Sequence, residues 1–272
     1  MRLPPLPPAF RWSTEPWGAA LVCEPLLAVA PHLFTTRVLT LRVGAGAGSP
    51  RDEGWESLAA SMDLPEPSVL RLRQVHGREV VVVHAGKPLP PVVPAPEADA
   101  FATDHASCAL AVRGADCVPL LLADRRIGAV AAAHAGWRGT VAGTGVAALH
   151  AMAQAFGSRP ADVVVALGPG IGPCCYEVGT SVVEACEAAG HGSEARGRWF
   201  TRNNGLRFDL WTANVDQLVR AGVPAGQVHA SRLCTACHPE VLFSYRREGE
   251  GIGRLAGVIR VRKAGRVAPL FT

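Results

Sequence analysis

The feature that most constrains the fold is a series of short apolar runs, too brief for helices, that begins at Cys108 and is punctuated by glycine, proline and aspartate. Residues 109–112, 128–133 and 162–167 are rich in Ala, Val and Leu and have strand length, and each is closed by a turn signal. Between and after them, residues 140–156, about 179–189 and 210–221 carry the longer spacing of helices. Residues 79–84, 228–230 and 255–261 read as further strands. In the first hundred residues Pro and Gly recur, notably at 43–50 and 88–96, and predict loops there. In alternating strand and helix arrangements ligands collect where strands end, and His76, Cys117 and His134 all sit at expected strand ends.

Composition narrows the class. A chain of 272 residues with 49% hydrophobic content can bury a sizeable core without crosslinks, and no internal repeat or domain boundary stands out. The net charge is only +4, from 27 basic and 23 acidic residues, and no block of like charges reaches five. That balance gives no electrostatic footprint for nucleic acid and leaves small anionic substrates compatible. The proline-rich start, Met1-Arg2-Leu3-Pro4-Pro5-Leu6-Pro7-Pro8, does not fit a signal peptide, and no apolar run is long enough to span a bilayer. A cytoplasmic protein with no membrane partner is expected. Eight cysteines, two of them adjacent at 174 and 175, do not form a secreted disulfide pattern, so they are expected as thiols. Nothing in the pattern specifies an oligomeric state.

The chemistry-bearing residues cluster in short words. Cys117 lies seventeen positions before His134, and His76 lies upstream in Gln74-Val75-His76-Gly77. A soft thiolate and two imidazoles are the donor set of a three-ligand catalytic zinc. Taken singly, each is as well explained by core packing or an ordinary hydrogen bond. Arg138, in Gly136-Trp137-Arg138-Gly139, stands at an expected helix start and offers a planar fork to phosphate or carboxylate. Pairing with a structural carboxylate or stacking on Trp137 explains it equally well. The turn Gly168-Pro169-Gly170-Ile171-Gly172-Pro173 has no following Lys and loses two N–H donors to proline, so it makes a poor phosphate loop. Cys174 and Cys175 read as buried packing thiols or as nucleophiles. Cys234-Thr235-Ala236-Cys237 has half the spacing of a zinc knuckle, without a second C-x-x-C. Asp116 is either a carboxylate that orients an imidazole or a turn residue.

Together these words resemble the laccase-domain family, also called multicopper polyphenol oxidase or peptidoglycan editing factor. The resemblance rests on Gln74-Val75-His76-Gly77, Ala98-Asp99-Ala100, Ala115-Asp116-Cys117 and His134-Ala135-Gly136-Trp137-Arg138-Gly139. It continues in Gly168-Pro169, Cys174-Cys175-Tyr176-Glu177-Val178 and Phe243-Ser244-Tyr245-Arg246-Arg247, and runs from about 31 to 260. It implies an α+β fold, a single domain spanning 1–272 in which layered mixed β-sheets are flanked by helices. It also implies a zinc held by His76, Cys117 and His134, with copper the lesser candidate. The chemistry implied is purine nucleoside phosphorolysis of adenosine, inosine, guanosine and methylthioadenosine, together with adenosine deamination. Small-molecule nucleosides and phosphate are then the partners. Arg138, then Arg246 and Arg37, are the expected phosphate ligands, while Gln74, Asp99 and Tyr245 are expected to hydrogen-bond the purine.

One word departs from the family. Phe34-Thr35-Thr36-Arg37 is followed by Val38-Leu39-Thr40-Leu41-Arg42 and not by the usual Gly-Gly-Val-Ser loop and Asn. Three rival readings remain, the third a non-catalytic binding protein. A cysteine hydrolase acting on peptidoglycan precursors would take Cys117 as nucleophile and His134 or His76 as base. A copper polyphenol oxidase would need several His-rich sites, and the nine histidines form no H-x-H pair.

Overall fold

Along the strand Val118–Asp124 successive side chains leave on opposite sides, and both sides are apolar. Leu120 and Leu122 enter one buried cluster, whereas Leu121 and Ala123 enter another. A strand without a polar face must be covered on both faces, which dictates a layered protein.

The computed structural model describes residues 3–41, 53–202 and 205–263. Its strands are β1 (Phe10–Glu15), β2 (Gly18–Cys23), β3 (His32–Thr35), β4 (Val69–Leu70), β5 (Val80–Val83), β6 (Ala100–Thr103) and β7 (Ala109–Gly114). They continue as β8 (Val118–Asp124), β9 (Val130–Ala135), β10 (Val163–Leu167), β11 (Phe200–Thr201), β12 (Arg207–Phe208), β13 (Val228–Ala230) and β14 (Leu255–Arg260). The helices are α1 (Glu24–Leu27), α2 (Glu53–Ser61), α3 (Trp137–Ala142), α4 (Thr144–Phe156), α5 (Thr180–Ala188), α6 (Ser193–Trp199), α7 (Leu210–Arg220) and α8 (Tyr245–Glu248).

Two six-stranded sheets, ordered β1-β2-β3-β14-β7-β4 and β13-β10-β8-β9-β6-β5, face each other. Phe34, Leu110 and Ile259 of the first meet Phe101, Leu121 and Ala166 of the second in a shared core. The outer face of the first sheet is closed by α2 through Trp55 and Leu58. That of the second is closed by α4, α5 and α7, through Leu149, Val182 and Trp211. The result is the expected α+β layering of mixed sheets and helices.

One expectation is corrected. Residues 140–156 are not one helix. Gly143 adopts φ 80°, ψ 39° and ends α3 with a left-handed residue, so α4 starts afresh at Thr144. The freed end of α3 is satisfied from α7, where the Asn214 amide donates to Thr140 Oγ1 at 2.9 Å and the Gln217 amide to Thr140 O at 2.9 Å. The second sheet is mixed, as expected. Only β10–β13 and β5–β6 are parallel in it, and β8 runs antiparallel to both β9 and β10. The expected loop at 88–96 is irregular, while that at 43–50 lies outside the described residues.

Candidate metal centre and its cavity

The antiparallel β8–β9 pair builds the first half of the site. Its register sets Pro119 opposite His134 and Val118 opposite Ala135, so the start of β8 meets the end of β9. Cys117, one residue before β8, therefore comes beside His134 and Gly136. A Cβ on Gly136 would lie 2.7 Å from Cys117 Sγ and 3.3 Å from the His76 ring, so only glycine leaves room for the approach. His76 arrives on the loop before β5 with φ 62°, a left-handed conformation that a non-glycine residue holds only when its surroundings fix it.

Asp99 does the fixing. Its carboxylate accepts from the N–H groups of Val75, His76 and Gly77 at 3.2, 3.0 and 2.6 Å, and from His134 Nδ1 at 2.8 Å. One fully buried carboxylate thus holds the His76 loop and also sets the His134 tautomer, leaving Nε2 of His134 for a ligand. Burial would raise the Asp99 carboxyl, but the hydrogen bonds from His134, Gly77 and His76 outweigh it and hold it below the usual range.

The donor atoms of His76, Cys117 and His134 all lie within 4.8 Å of one another, a group able to hold a metal ion. Burial acts to raise the Cys117 thiol, yet the charge and hydrogen bonds of His134 and then His76 bring it down to about 6. His134 moves the other way. Burial opposes its protonation, but Cys117 and Asp99 lift it to about 9. Thiolate character beside two imidazoles suits a borderline-soft cation such as zinc.

The trio lines a cavity of about 590 Å³, within the range of small-molecule sites. Arg73, Arg113, Arg138, Arg246 and Arg254 line it against a single carboxylate, that of Asp116, so the cavity favours anions. The Asp116 carboxylate is itself engaged, accepting from Thr235 Oγ1 at 2.6 Å and from the Arg246 N–H at 2.7 Å. It clamps the 235–246 segment and does not orient an imidazole. The Arg138 guanidinium lies 4.3 Å from the centroid of the Trp137 ring and has no carboxylate partner among the described residues. Arg246 lies over Tyr176 at 5.2 Å and donates to Glu177 O at 2.9 Å. Tyr245 also lines the cavity and is 48% exposed, free to meet a ligand.

Three expected purine or phosphate contacts are placed otherwise. Arg37 lies outside the lining: it pairs with Glu248 at 2.9 Å, packs on Phe243 and donates to Pro239 O. Asp99 is the buried strut described above. Gln74 borders the cavity, but its amide is used at both ends, donating to Arg113 O at 2.7 Å and accepting from Arg113 N at 2.9 Å. Tyr176, Ile171 and Leu210 supply apolar lining that the sequence reading did not single out. The only signal for Tyr176 is that it directly follows the 168–173 glycine turn, and loops are where binding residues concentrate. Cys174 and Cys175 are not buried packing thiols either. Cys174 is exposed, Cys175 is half-buried, and both converge on Cys234 and Cys237, outside the cavity lining.

A family profile described as "Multi-copper polyphenol oxidoreductase laccase" matches residues 52–262. A protein of Bacteroides thetaiotaomicron named purine nucleoside phosphorylase is 40% identical over 165 residues, 61% of this chain and 61% of its own length. One of the same name from Deinococcus radiodurans is 38% identical over 253 residues, 89% of this chain and 93% of that one. Adenosine deaminase RL5, from an unknown prokaryotic organism, is 37% identical over 163 residues, 60% of this chain and 62% of that one. Among solved structures, YfiH of Bacillus licheniformis superposes with a TM-score of 0.80 at 28% identity, covering 89% of this chain and 96% of that one. Among the described residues no helix is long and apolar enough to cross a membrane.

Proposed function

The chain belongs to the multi-copper polyphenol oxidoreductase laccase family, and from that premise we propose that it is a zinc-dependent purine nucleoside phosphorylase that also deaminates adenosine. The observation that carries the reading is the His76–Cys117–His134 group set in the wall of an arginine-lined cavity of about 590 Å³. The substrates are adenosine, inosine, guanosine and methylthioadenosine with inorganic phosphate, and the site of action is cytoplasmic.

His76, Cys117 and His134 would hold the zinc, with Asp99 fixing the His134 imidazole and the His76 backbone from behind. When bound, zinc supplies Lewis-acid activation near neutral pH. Arg138 receives the phosphate, with Arg246 beside it, because both line the cavity. Trp137, Tyr176 and Tyr245 offer ring surface to a flat base. In phosphorolysis a phosphate oxygen forms a bond to ribose C1′ as the bond from C1′ to the purine nitrogen breaks, and the base leaves with a proton. In deamination water adds at purine C6 and ammonia leaves. Thiolate and imidazole ligands with a carboxylate behind them match zinc better than a multicopper oxidase centre.

Chromatography of adenosine incubated with the protein, with and without phosphate, tests the reading. Phosphate-dependent adenine with ribose 1-phosphate, and phosphate-independent inosine, are expected. Unchanged adenosine in both conditions would overturn it.

A second reading is favoured by one observation: Asp99, His134 and the lowered Cys117 thiol line up as a carboxylate, base and nucleophile. That cysteine hydrolase would keep its turnover in the presence of chelators, whereas the nucleoside enzyme loses it.

A further inference from the structure

Four thiols that the cavity does not use meet on one side of the molecule. The Sγ atoms of Cys174, Cys175, Cys234 and Cys237 all lie within 4.8 Å of one another. Cys237 Sγ is 3.5 Å from both Cys174 Sγ and Cys175 Sγ. In a tetrahedral zinc tetrathiolate with bonds of about 2.3 Å, neighbouring sulfurs stand about 3.8 Å apart, so this spacing matches a shared cation. It is too long for a disulfide, whose sulfurs approach to about 2 Å.

Local backbone supports the same reading. After Gly172 the chain makes a tight turn in which the N–H groups of Cys175 and Tyr176 both donate to Gly172 O at 2.9 Å, bringing the adjacent cysteines round together. The facing segment is a C-x-x-C turn. Cys234 Sγ accepts from the Gly172 N–H at 3.2 Å and from the Cys237 N–H. Backbone donors aimed at sulfur stabilise a thiolate, and ligating sulfurs carry such outer hydrogen bonds. A donor set of four thiolates excludes hard cations and selects zinc or iron.

The geometry points to a second metal site, a structural zinc bound by Cys174, Cys175, Cys234 and Cys237. Four protein ligands close the coordination sphere, so this zinc binds no substrate. Its work is mechanical. The 171–176 segment carries Ile171 and Tyr176 into the cavity wall, and Thr235, between the other two ligands, holds Asp116 beside Cys117. Zinc joins these two segments across some sixty residues of sequence and so fixes one wall of the cavity.

Elemental analysis of zinc per chain, on protein purified under reducing conditions, decides the matter. Two zinc ions are expected in the wild type and one in Cys117→Ala, which reads the thiol site independently of the nucleoside reading. In Cys174→Ser/Cys237→Ser protein one zinc is expected, held by the His–Cys–His group. Cobalt(II) added to metal-stripped Cys117→Ala protein is expected to give the intense thiolate charge-transfer and tetrahedral d–d bands of a four-sulfur site. A metal-free Cys117→Ala protein without those bands overturns the proposal. So does iron as the metal found, or a Cys174–Cys237 or Cys175–Cys237 disulfide detected by mass spectrometry after alkylation.

Discussion

The two sulfur-bearing clusters of this protein use the same element in opposite ways. At the cavity, one thiol and two imidazoles stand in the wall of a space large enough for a ligand. At the turns near 174 and 237, four thiols converge on one another outside that lining. Their supports differ as well. The first is held by a buried carboxylate and a glycine that yields space, the second by backbone N–H groups pointing at sulfur. Ligand number and what stands behind the ligands separate a site that acts from one that braces.

The most direct probe of that contrast is Cys117→Ala. Nucleoside turnover should fall at least about a thousand-fold, several kcal/mol of transition-state stabilisation, while the unfolding temperature stays near that of the wild type. Parallel kinetics and calorimetry check it.

Acid challenges both clusters, because protonated thiols release metal, and the fold adds an acid-sensitive group of its own. His32, buried in β3, accepts from the Cys23 N–H at 3.0 Å through Nε2, and burial pushes its pKa down to about 4. The unfolded chain then takes up the proton first, so stability is complete above about pH 6.5 and declines as pH falls toward 4, by about 3 kcal/mol. Denaturant unfolding across that window should show the slope even in Cys117→Ala protein, and His32→Gln should flatten it.

Asp99→Asn tests the support of the open site. Zinc affinity at the His–Cys–His group should drop roughly 10- to 100-fold, the usual cost of losing a carboxylate behind a ligating histidine. Zinc titration in Cys174→Ser/Cys237→Ser protein reads this site alone, and an unchanged affinity would mean that Asp99 serves the His76 loop only.

The smallest effect is expected from the braced cluster. Cys174→Ser/Cys237→Ser should keep kcat within about threefold of the wild type, raise KM through the loosened Tyr176 wall and lower the unfolding temperature. A loss of kcat as deep as that of Cys117→Ala would break the distinction between the clusters.

The open site is readable because each of its members stands in its own word within two residues of a glycine or aspartate: His76 before Gly77, Cys117 after Asp116, His134 two before Gly136. Turns of that kind bring side chains to strand ends whichever way the strands run, so the trio converges in a sheet of mixed direction. The closed cluster stayed hidden because half of it is an adjacent pair and the other half a lone C-x-x-C, 63 positions apart at Cys174 and Cys237. No local spacing encodes a meeting that the turns at 168–176 and 231–237 create. Asp99 stands out in the sequence as a polar residue, but its partners do not. A sequence shows that an aspartate sits in an apolar word and must find partners, not that those partners are three backbone N–H groups and an imidazole. Arg37 failed for a related reason, since its partner Glu248 lies 211 residues away.

The β8–β9 pair has a far end as well as a near one. Cys117 and His134 occupy the open end, and the two strands, seven and six residues long, run from there to the reversal at residues 125–129. At about 3.3 Å per residue that reversal is about 20 Å from the site. Arg126 and Ile127 are exposed there, and the Arg126 side chain reaches Gly157 O and Asp162, both on the same surface. New chain termini, or a reporter peptide spliced between Arg126 and Ile127, would leave the register at the opposite end intact. The hairpin that brings thiol and imidazole together thus also offers a handle by which the enzyme can be labelled, immobilised or permuted.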